Sequence, residues 1–402
     1  MTGRQRILAA LSHQPVDRVP IDLGGTRQSG ISVFAYVELL KRLGIRRTPR
    51  VFDTFQMLAE IDEDVLAHFR TDTVSLNRRA VAFGIANDAW KPMQLRGIDV
   101  LVPAGFNPER DGGDLVLRKA GQVVARMPEH GFYFDRYEPY PGATHPDLST
   151  WSAPRLSEPD LEHFARESRR IADASDRCVV AAFGPPYELF NGIGQGGFEQ
   201  WMITFATEDE YVEQLYTMLV DAWIENLSAF HRVVGERVQV IQIADDLGTQ
   251  AGPFLSVAMF REKVMPHYAR GLKWIHNHTP WKVLMHSDGA IRPLIPSLIE
   301  AGVDALNPVQ TSCPGMGPAS LRAEFGGRIA FWGGSVDAQG TLVRGTPDAV
   351  AREATTNLQQ FATLSGGHVF ASIHNVQADV PPGNVAALFD AAQRFNTEVN
   401  DA

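Results

Sequence analysis

Eight short apolar runs, most of them separated by stretches of helical periodicity, limit what this chain can fold into. They are Val19–Leu23, Thr73–Leu76, Val179–Phe183, Val238–Ile243, Val283–His286, Ala305–Asn307, Ile329–Trp332 and His368–Ile373. Helical spacing fills Glu199–Val234, Val257–His276, Leu294–Ala301, Pro347–Leu364 and Val385–Phe395. Strand alternating with helix gives a parallel sheet, and eight such units close it on itself. The expected fold is therefore an α/β (β/α)8 TIM barrel. An open doubly wound sheet is the rival, but no glycine-rich fingerprint follows the first run.

Two stretches qualify that rhythm. At the start, Thr2-Gly3-Arg4-Gln5 matches a capping box, and Ile7, Leu8 and Leu11 continue it as a helix. From Phe83 to Pro154, glycines and prolines punctuate short alternating runs such as Leu115–Lys119 and Gln122–Arg126. This segment reads as a β-hairpin insertion after the second strand. It is expected to cap a rim of a single domain spanning residues 1–402.

Composition narrows the function classes. Net charge is −10 with no dense Lys/Arg tract, which argues against nucleic acid as a partner. No apolar run is long enough to span a bilayer, and the first residues lack the apolar core of a secretion signal. Cys178 and Cys313 are the only two cysteines, so no disulfide scaffold is expected and a cytoplasmic setting fits. The partner to look for is a small molecule.

In a barrel, chemistry sits where strands end, because the following loops surround one mouth. Polar residues stand at several such ends: Asp245 and Asp246, His286 and Asp288, Asn307 and Gln310, Trp332, and His374. His286 and Asp288 are two residues apart, so an extended chain points both side chains the same way, and Gly289 then lets the chain turn off. His374 lies 88 residues on and joins them only if a barrel brings the strand ends to one rim. Two imidazoles and a carboxylate around an open position suit catalytic zinc or iron(II). The competing reading is a hydrogen-bonded His286–Asp288 pair with His374 capping a loop. Asp245 and Asp246 are candidates for a further ligand, a general base or a helix N-cap. Gln250, Asn307, Gln310 and Trp332 are candidates for positioning substrate. Gly192–Gly197 reads as a loop without the lysine of a phosphate cradle, Cys178 as a buried structural thiol, and Cys313 as a spectator near the mouth.

Several segments resemble the uroporphyrinogen decarboxylase family. They are Arg4–Leu11 with Asp17–Pro20, Ala301–Gln310 with Gly315-Met316, Phe331–Gly334, and His374–Asn384. The resemblance implies a (β/α)8 barrel and two alternative chemistries. One branch decarboxylates porphyrinogens without a metal, holding substrate carboxylates with arginines near the N-terminus, and Arg27 is the candidate for that role here. The other branch comprises zinc-dependent methyltransferases that work with corrinoid proteins, with ligands resembling His-x-Cys plus a distant Cys. His286 matches that histidine, while Asp288 and His374 stand where the two thiolates would be.

The expected protein is thus a metal-dependent methyltransferase-like enzyme that demethylates an oxygen- or heteroatom-linked donor. It would hold a divalent cation, zinc, on His286, Asp288 and His374, use Asp245 or Asp246 as fourth ligand or proton acceptor, and pass methyl to a corrinoid on a partner protein. By the same analogy it would be a homodimer. The alternatives are a metal-assisted lyase or hydrolase, porphyrinogen decarboxylation, and a non-catalytic ligand-binding barrel.

Overall fold

Seven of the eight runs form one parallel sheet in the computed structural model, which describes residues 1–137, 146–192, 197–361 and 364–401. The strands are β1 (Thr73–Ser75), β2 (Cys178–Ala182), β3 (Val240–Ala244), β4 (Lys282–His286), β5 (Ala305–Asn307), β6 (Ala330–Trp332) and β7 (His368–Val369). Each pairs in parallel with the next in sequence order. The result is an α/β fold with a curled seven-stranded sheet.

The eighth run departs from expectation. Val19–Leu23 forms no strand and contributes a single parallel bridge, Ile21 with Phe370. Pro20 has no N–H to offer a ladder, which limits pairing to its neighbours. Those neighbours still reach both ways. Asp22 N–H donates to Phe370 O at 2.8 Å, and Asp72 N–H, just before β1, donates to Ile21 O at 2.7 Å.

Because side chains alternate across a strand, the sheet is apolar on two sides. Cys178, Val180, Val240, Leu284, Ala305 and Trp332 pack on the inner face, with Ile7, Ala10 and Leu11 of the capped first helix (Gly3–Leu11) packed against them. Val179, Ile241, Val283, Met285 and Phe331 meet the outer helices. The longest outer helix, Asp209–Val234, buries Val212, Leu215, Tyr216, Leu219 and Trp223 on one stripe. Its Trp223 indole donates to Phe183 O at 2.8 Å. Gly271 on the next helix makes room for that ring, since a Cβ there would lie 1.9 Å from it.

Between β1 and β2 the chain forms two antiparallel sheets. Trp90–Leu95 pairs with Ile98–Pro103, and Glu109–Asp111, Asp114–Lys119, Gln122–Met127 and Arg136–Tyr137 pair in order. Their Leu95, Val100, Phe106, Met127 and Phe134 share a core with Tyr36, Met57 and Phe389. Residues 138–145 of this stretch, and 193–196 of the glycine-rich loop, lie outside the described residues. Among the described residues, no helix is long and apolar enough to cross a membrane.

Two buried polar groups bear on stability. Asp72, 1% exposed, accepts from both Arg6 and Arg18 and from Ile21 N–H, tying the first helix and the 18–21 segment to the start of β1. His368 opens β7, stacks on Phe361 with ring centroids 5.0 Å apart, and meets Gly333 O through Nε2 at 3.1 Å. Its Nδ1 has no hydrogen-bond partner among the described residues. Burial holds this imidazole down to about 4, so the folded protein keeps it neutral where an unfolded chain would already bind a proton. That contribution to stability is complete above the ordinary histidine range and lost as pH falls from about 6.5 towards 4, amounting to roughly 3 kcal/mol. Urea unfolding of wild type and His368→Gln should converge by about that amount between pH 7 and pH 4. A constant difference across the range would exclude His368 as the source.

Candidate metal centre

The site begins at the end of β4. Strand alternation that puts Leu284 into the inner core carries His286, two residues on, to the same face at the mouth. Asp288 follows on the turn, where Gly289 adopts φ +91°, and a Cβ there would lie 2.6 Å from the backbone of Gly248 and Thr249. Gln310 Oε1 accepts Gly289 N–H at 3.0 Å and Asp246 Oδ1 accepts Asp288 N–H at 3.1 Å, fixing the turn from both sides. His374 arrives on the turn after β7, between the bridges that Phe370 and Val376 make with Ile21 and Ile31.

The three side chains converge. Asp288 Oδ2 lies 3.7 Å from His286 Nε2 and 3.9 Å from His374 Nε2. One ligand atom from each lies within 4.8 Å of the others. These separations are too long for a hydrogen bond, so the His286–Asp288 pair is not an ordinary bonded one. They are slightly wider than the roughly 3.4 Å between neighbouring atoms around a tetrahedral ion with 2.0–2.1 Å bonds. Small rotations of Asp288 and His374, 30% and 35% exposed, would close that gap; His286 is only 5% exposed.

The tautomer of His286 follows from its neighbours. Asn307 Nδ2 donates to Trp332 O at 3.1 Å, which turns Asn307 Oδ1 towards His286 Nδ1 at 2.6 Å. The proton therefore sits on Nδ1, and the Nε2 lone pair faces Asp288 and His374. Burial pushes His374 below the ordinary histidine range; Asp288 opposes this and His286 reinforces it. Neutral imidazoles are the form a metal needs.

The remaining candidates divide. Asp246 Oδ1 is 3.9 Å from His286 Nε2, at the edge of the gap. Asp245 is fully buried and accepts Phe190 N–H, Asn191 N–H and the Tyr268 hydroxyl at 2.6, 3.0 and 2.7 Å. It anchors the loop after β2 and has no free edge for substrate, contrary to the catalytic role expected of it. Asn307, 0% exposed, orients His286 rather than touching substrate, and the Trp332 indole is buried with its N–H on Asp22. Gln310 and Gln250 share a 3.0 Å bond in the cleft wall, and Cys313 donates to Gln250. Arg27 lies elsewhere on the mouth, held by Asp53 at 2.6 Å.

The gap opens into a cleft of about 650 Å³ lined by Gln250, Asp288, Gln310 and His374 on the sheet side and by Phe55 and Tyr133 opposite. Tyr133 belongs to the stretch between β1 and β2 and signals nothing by itself in the sequence. Glu188, on the loop after β2, likewise carries no signal in the sequence. It is exposed, yet the protein around its carboxyl and the nearby Asp245 charge raise it above the ordinary carboxylate range. Burial likewise raises Asp245 above the ordinary carboxylate range, against the hydrogen bonds it accepts from Phe190, Tyr268 and Asn191.

A family model described as uroporphyrinogen decarboxylase (URO-D) matches residues 144–395, more than half of the chain. The chain belongs to the uroporphyrinogen decarboxylase family. Among related members, the uroporphyrinogen decarboxylase of Xanthomonas euvesicatoria pv. vesicatoria (strain 85-10) is 26% identical over 420 residues, covering 98% of this chain and 99% of its own. That of Xylella fastidiosa (strain Temecula1 / ATCC 700964) is 28% identical over 265 residues, 60% of this chain and 69% of its own. In three dimensions this family member resembles a methyltransferase from Methanosarcina mazei, with a TM-score of 0.61 at 19% identity over 98% of this chain and 99% of the other.

Proposed function

We propose that this member of the family is a metal-dependent methyltransferase-like enzyme that removes a methyl group from an oxygen- or heteroatom-linked donor. The observation that carries the reading is the convergence of His286 Nε2, Asp288 Oδ2 and His374 Nε2 on one gap at the head of the cleft. The three residues would hold a divalent cation, zinc, with Asp246 beside them as fourth ligand or proton acceptor. Bound there, the cation supplies Lewis acidity, drawing electron density from the atom that carries the methyl group. A His/Asp/His set is harder than a thiolate-rich one, which favours oxygen over sulfur in the donor. Phe55 and Tyr133 would shield the donor from water, and Gln250 and Gln310 would orient it. The donor's heteroatom keeps the electron pair of the broken bond and takes up a proton. The methyl group passes to a nucleophilic acceptor, a corrinoid carried by a partner protein.

The architecture we propose for this chemistry is one domain over residues 1–402. Pro20–Asp22 would close the sheet into a (β/α)8 barrel between β7 and β1, supported by its hydrogen bonds on both sides. Residues 83–154 would be a β-rich insertion covering the mouth, supported by the place of Tyr133 and Phe134 in the cleft lining.

A second reading, decarboxylation, is favoured by the full-length relationship to decarboxylases. The two are separated by incubating zinc-loaded protein with methoxylated donors and reduced corrinoid and following the cobalt spectrum. Methylated corrinoid formed by wild type and lost in Asp288→Ala is the expected result. Carbon dioxide from a porphyrinogen without methylated corrinoid would replace the reading with decarboxylation, and demethylated product without an acceptor would replace it with hydrolysis or elimination. Asn307→Ala should weaken zinc binding by about 10- to 100-fold in chelator competition, because the His286 tautomer is no longer fixed. An unchanged affinity would remove Asn307 from the site.

A further inference from the structure

On the other side of the mouth a separate cavity of about 90 Å³ is lined by Thr26, Arg27, Ser75, Asn77, Arg78 and Gln242, among others. β1, β2 and β3 supply it: Ser75 closes β1, Ala182 closes β2, and Gln242 is the inner-face partner of Ala182 on β3. The two arginines differ. Arg27 is neutralised by buried Asp53, whereas Arg78 has no carboxylate within ion-pair distance among the described residues. Arg78 lies over the Phe183 ring at 5.0 Å, and its hydrogen bond to Ala182 O is a long 3.4 Å. A guanidinium carries five N–H donors, so most of this one's capacity is unspent. Its side chain is exposed where it lines the cavity, and Asp160 acts on its charge only from beyond ion-pair distance.

Gln242 provides the second, independent sign. Its side chain is 2% exposed, and its Oε1 has no hydrogen-bond partner among the described residues. Its Nε2 donates to Gln28 Oε1 at 2.7 Å. Turning both amides over preserves that bond and presents an N–H to the cavity instead. A buried amide end without a partner is costly, and the exposed guanidinium beside it has donors free for an anion. One ligand group would satisfy both.

We infer that this cavity is a carboxylate subsite and that the donor is a carboxylate-bearing molecule anchored on Arg78 and Gln242. Carboxylate oxygens match the guanidinium fork, and the volume admits such a group with a few further atoms. The subsite shares the mouth with the metal centre. Gln242 stands two residues before Ala244, which pairs with His286, so the two Cα atoms are separated by on the order of 8 Å. A compact acid can therefore place its carboxylate at Arg78 and its methyl-bearing atom at His286 and His374. What happens at that second end rests on the methyl-transfer reading; the carboxylate subsite itself does not.

Calorimetric titration of the full chain, with and without zinc, tests the subsite. The probes are methoxyacetate, benzoate and 4-methoxybenzoate, with uncharged methoxybenzene as reference. At least one acid should bind saturably and more tightly than methoxybenzene. Arg78→Gln should weaken it by about tenfold or more, and Arg78→Lys by less. Arg79→Gln, whose arginine pairs with Asp88, should leave it unchanged. Folded Arg78 variants that bind the acids like wild type would overturn the proposal, as would the failure of all three acids to bind wild type. Binding that survives in wild type unable to retain zinc would remove the metal reading and leave the subsite standing.

Discussion

His286→Ala protein is expected to lose zinc affinity by well over the 100-fold that second-layer residues command, and with it methyl transfer. The size of the effect follows from position. Asp288 and His374 sit on turns and are about one-third exposed, while His286 is 5% exposed at the end of a paired strand. It is also the ligand whose tautomer is set in advance, through Asn307 and the Trp332 carbonyl. A substitute at 374 could be partly replaced by solvent; a substitute at 286 could not. Competition against a chelator of known affinity, on wild type and variant in parallel, reads the difference. A loss of less than about tenfold would mean that His286 is not a ligand.

The largest stability effect should come from the opposite end of the sheet. Asp72→Ala strands Arg18 without a carboxylate and leaves Ile21 N–H without its acceptor, while Arg6 keeps only Asp17. Removing one partner of a buried ion pair costs about 3–5 kcal/mol, because the remaining charge stays desolvated. Asp72→Asn should cost less, since the amide oxygen can still accept from Ile21. Chemical unfolding measures both, and zinc affinity of the folded fraction should be unchanged, as the mouth lies at the other ends of the strands. A Asp72→Ala protein within about 1 kcal/mol of wild type would show that the two arginines find water instead.

Periodicity in the sequence was enough to locate seven parallel strands, because buried strands and amphipathic helices leave distinct apolar spacings. It failed at Val19–Leu23, where composition looks strand-like but proline removes a donor. The convergence of His286, Asp288 and His374 was legible for the same reason: strand parity and a shared rim are enough to bring them together. Roles within the rim were less so. Asp245, Asn307 and Trp332 are polar or large residues at strand ends, as a substrate contact would be, yet their side chains turn to neighbouring loops and strands. Only side-chain direction separates these fates. Arg78 and Glu188 are exposed, as an arginine or glutamate in a loop ordinarily is; what distinguishes them is the cavity beside one and the buried Asp245 near the other, which local sequence does not encode.

The proposed methyl transfer depends on a cation held at the gap between the two imidazoles and the acid. Anomalous diffraction from crystals of protein purified without added metal, recorded on both sides of the zinc edge, addresses this directly. The expected result is a single strong peak about 2.0–2.2 Å from His286 Nε2, an Asp288 oxygen and His374 Nε2. Zinc bound elsewhere, or well-ordered side chains at this gap with no peak after zinc is supplied, would contradict it.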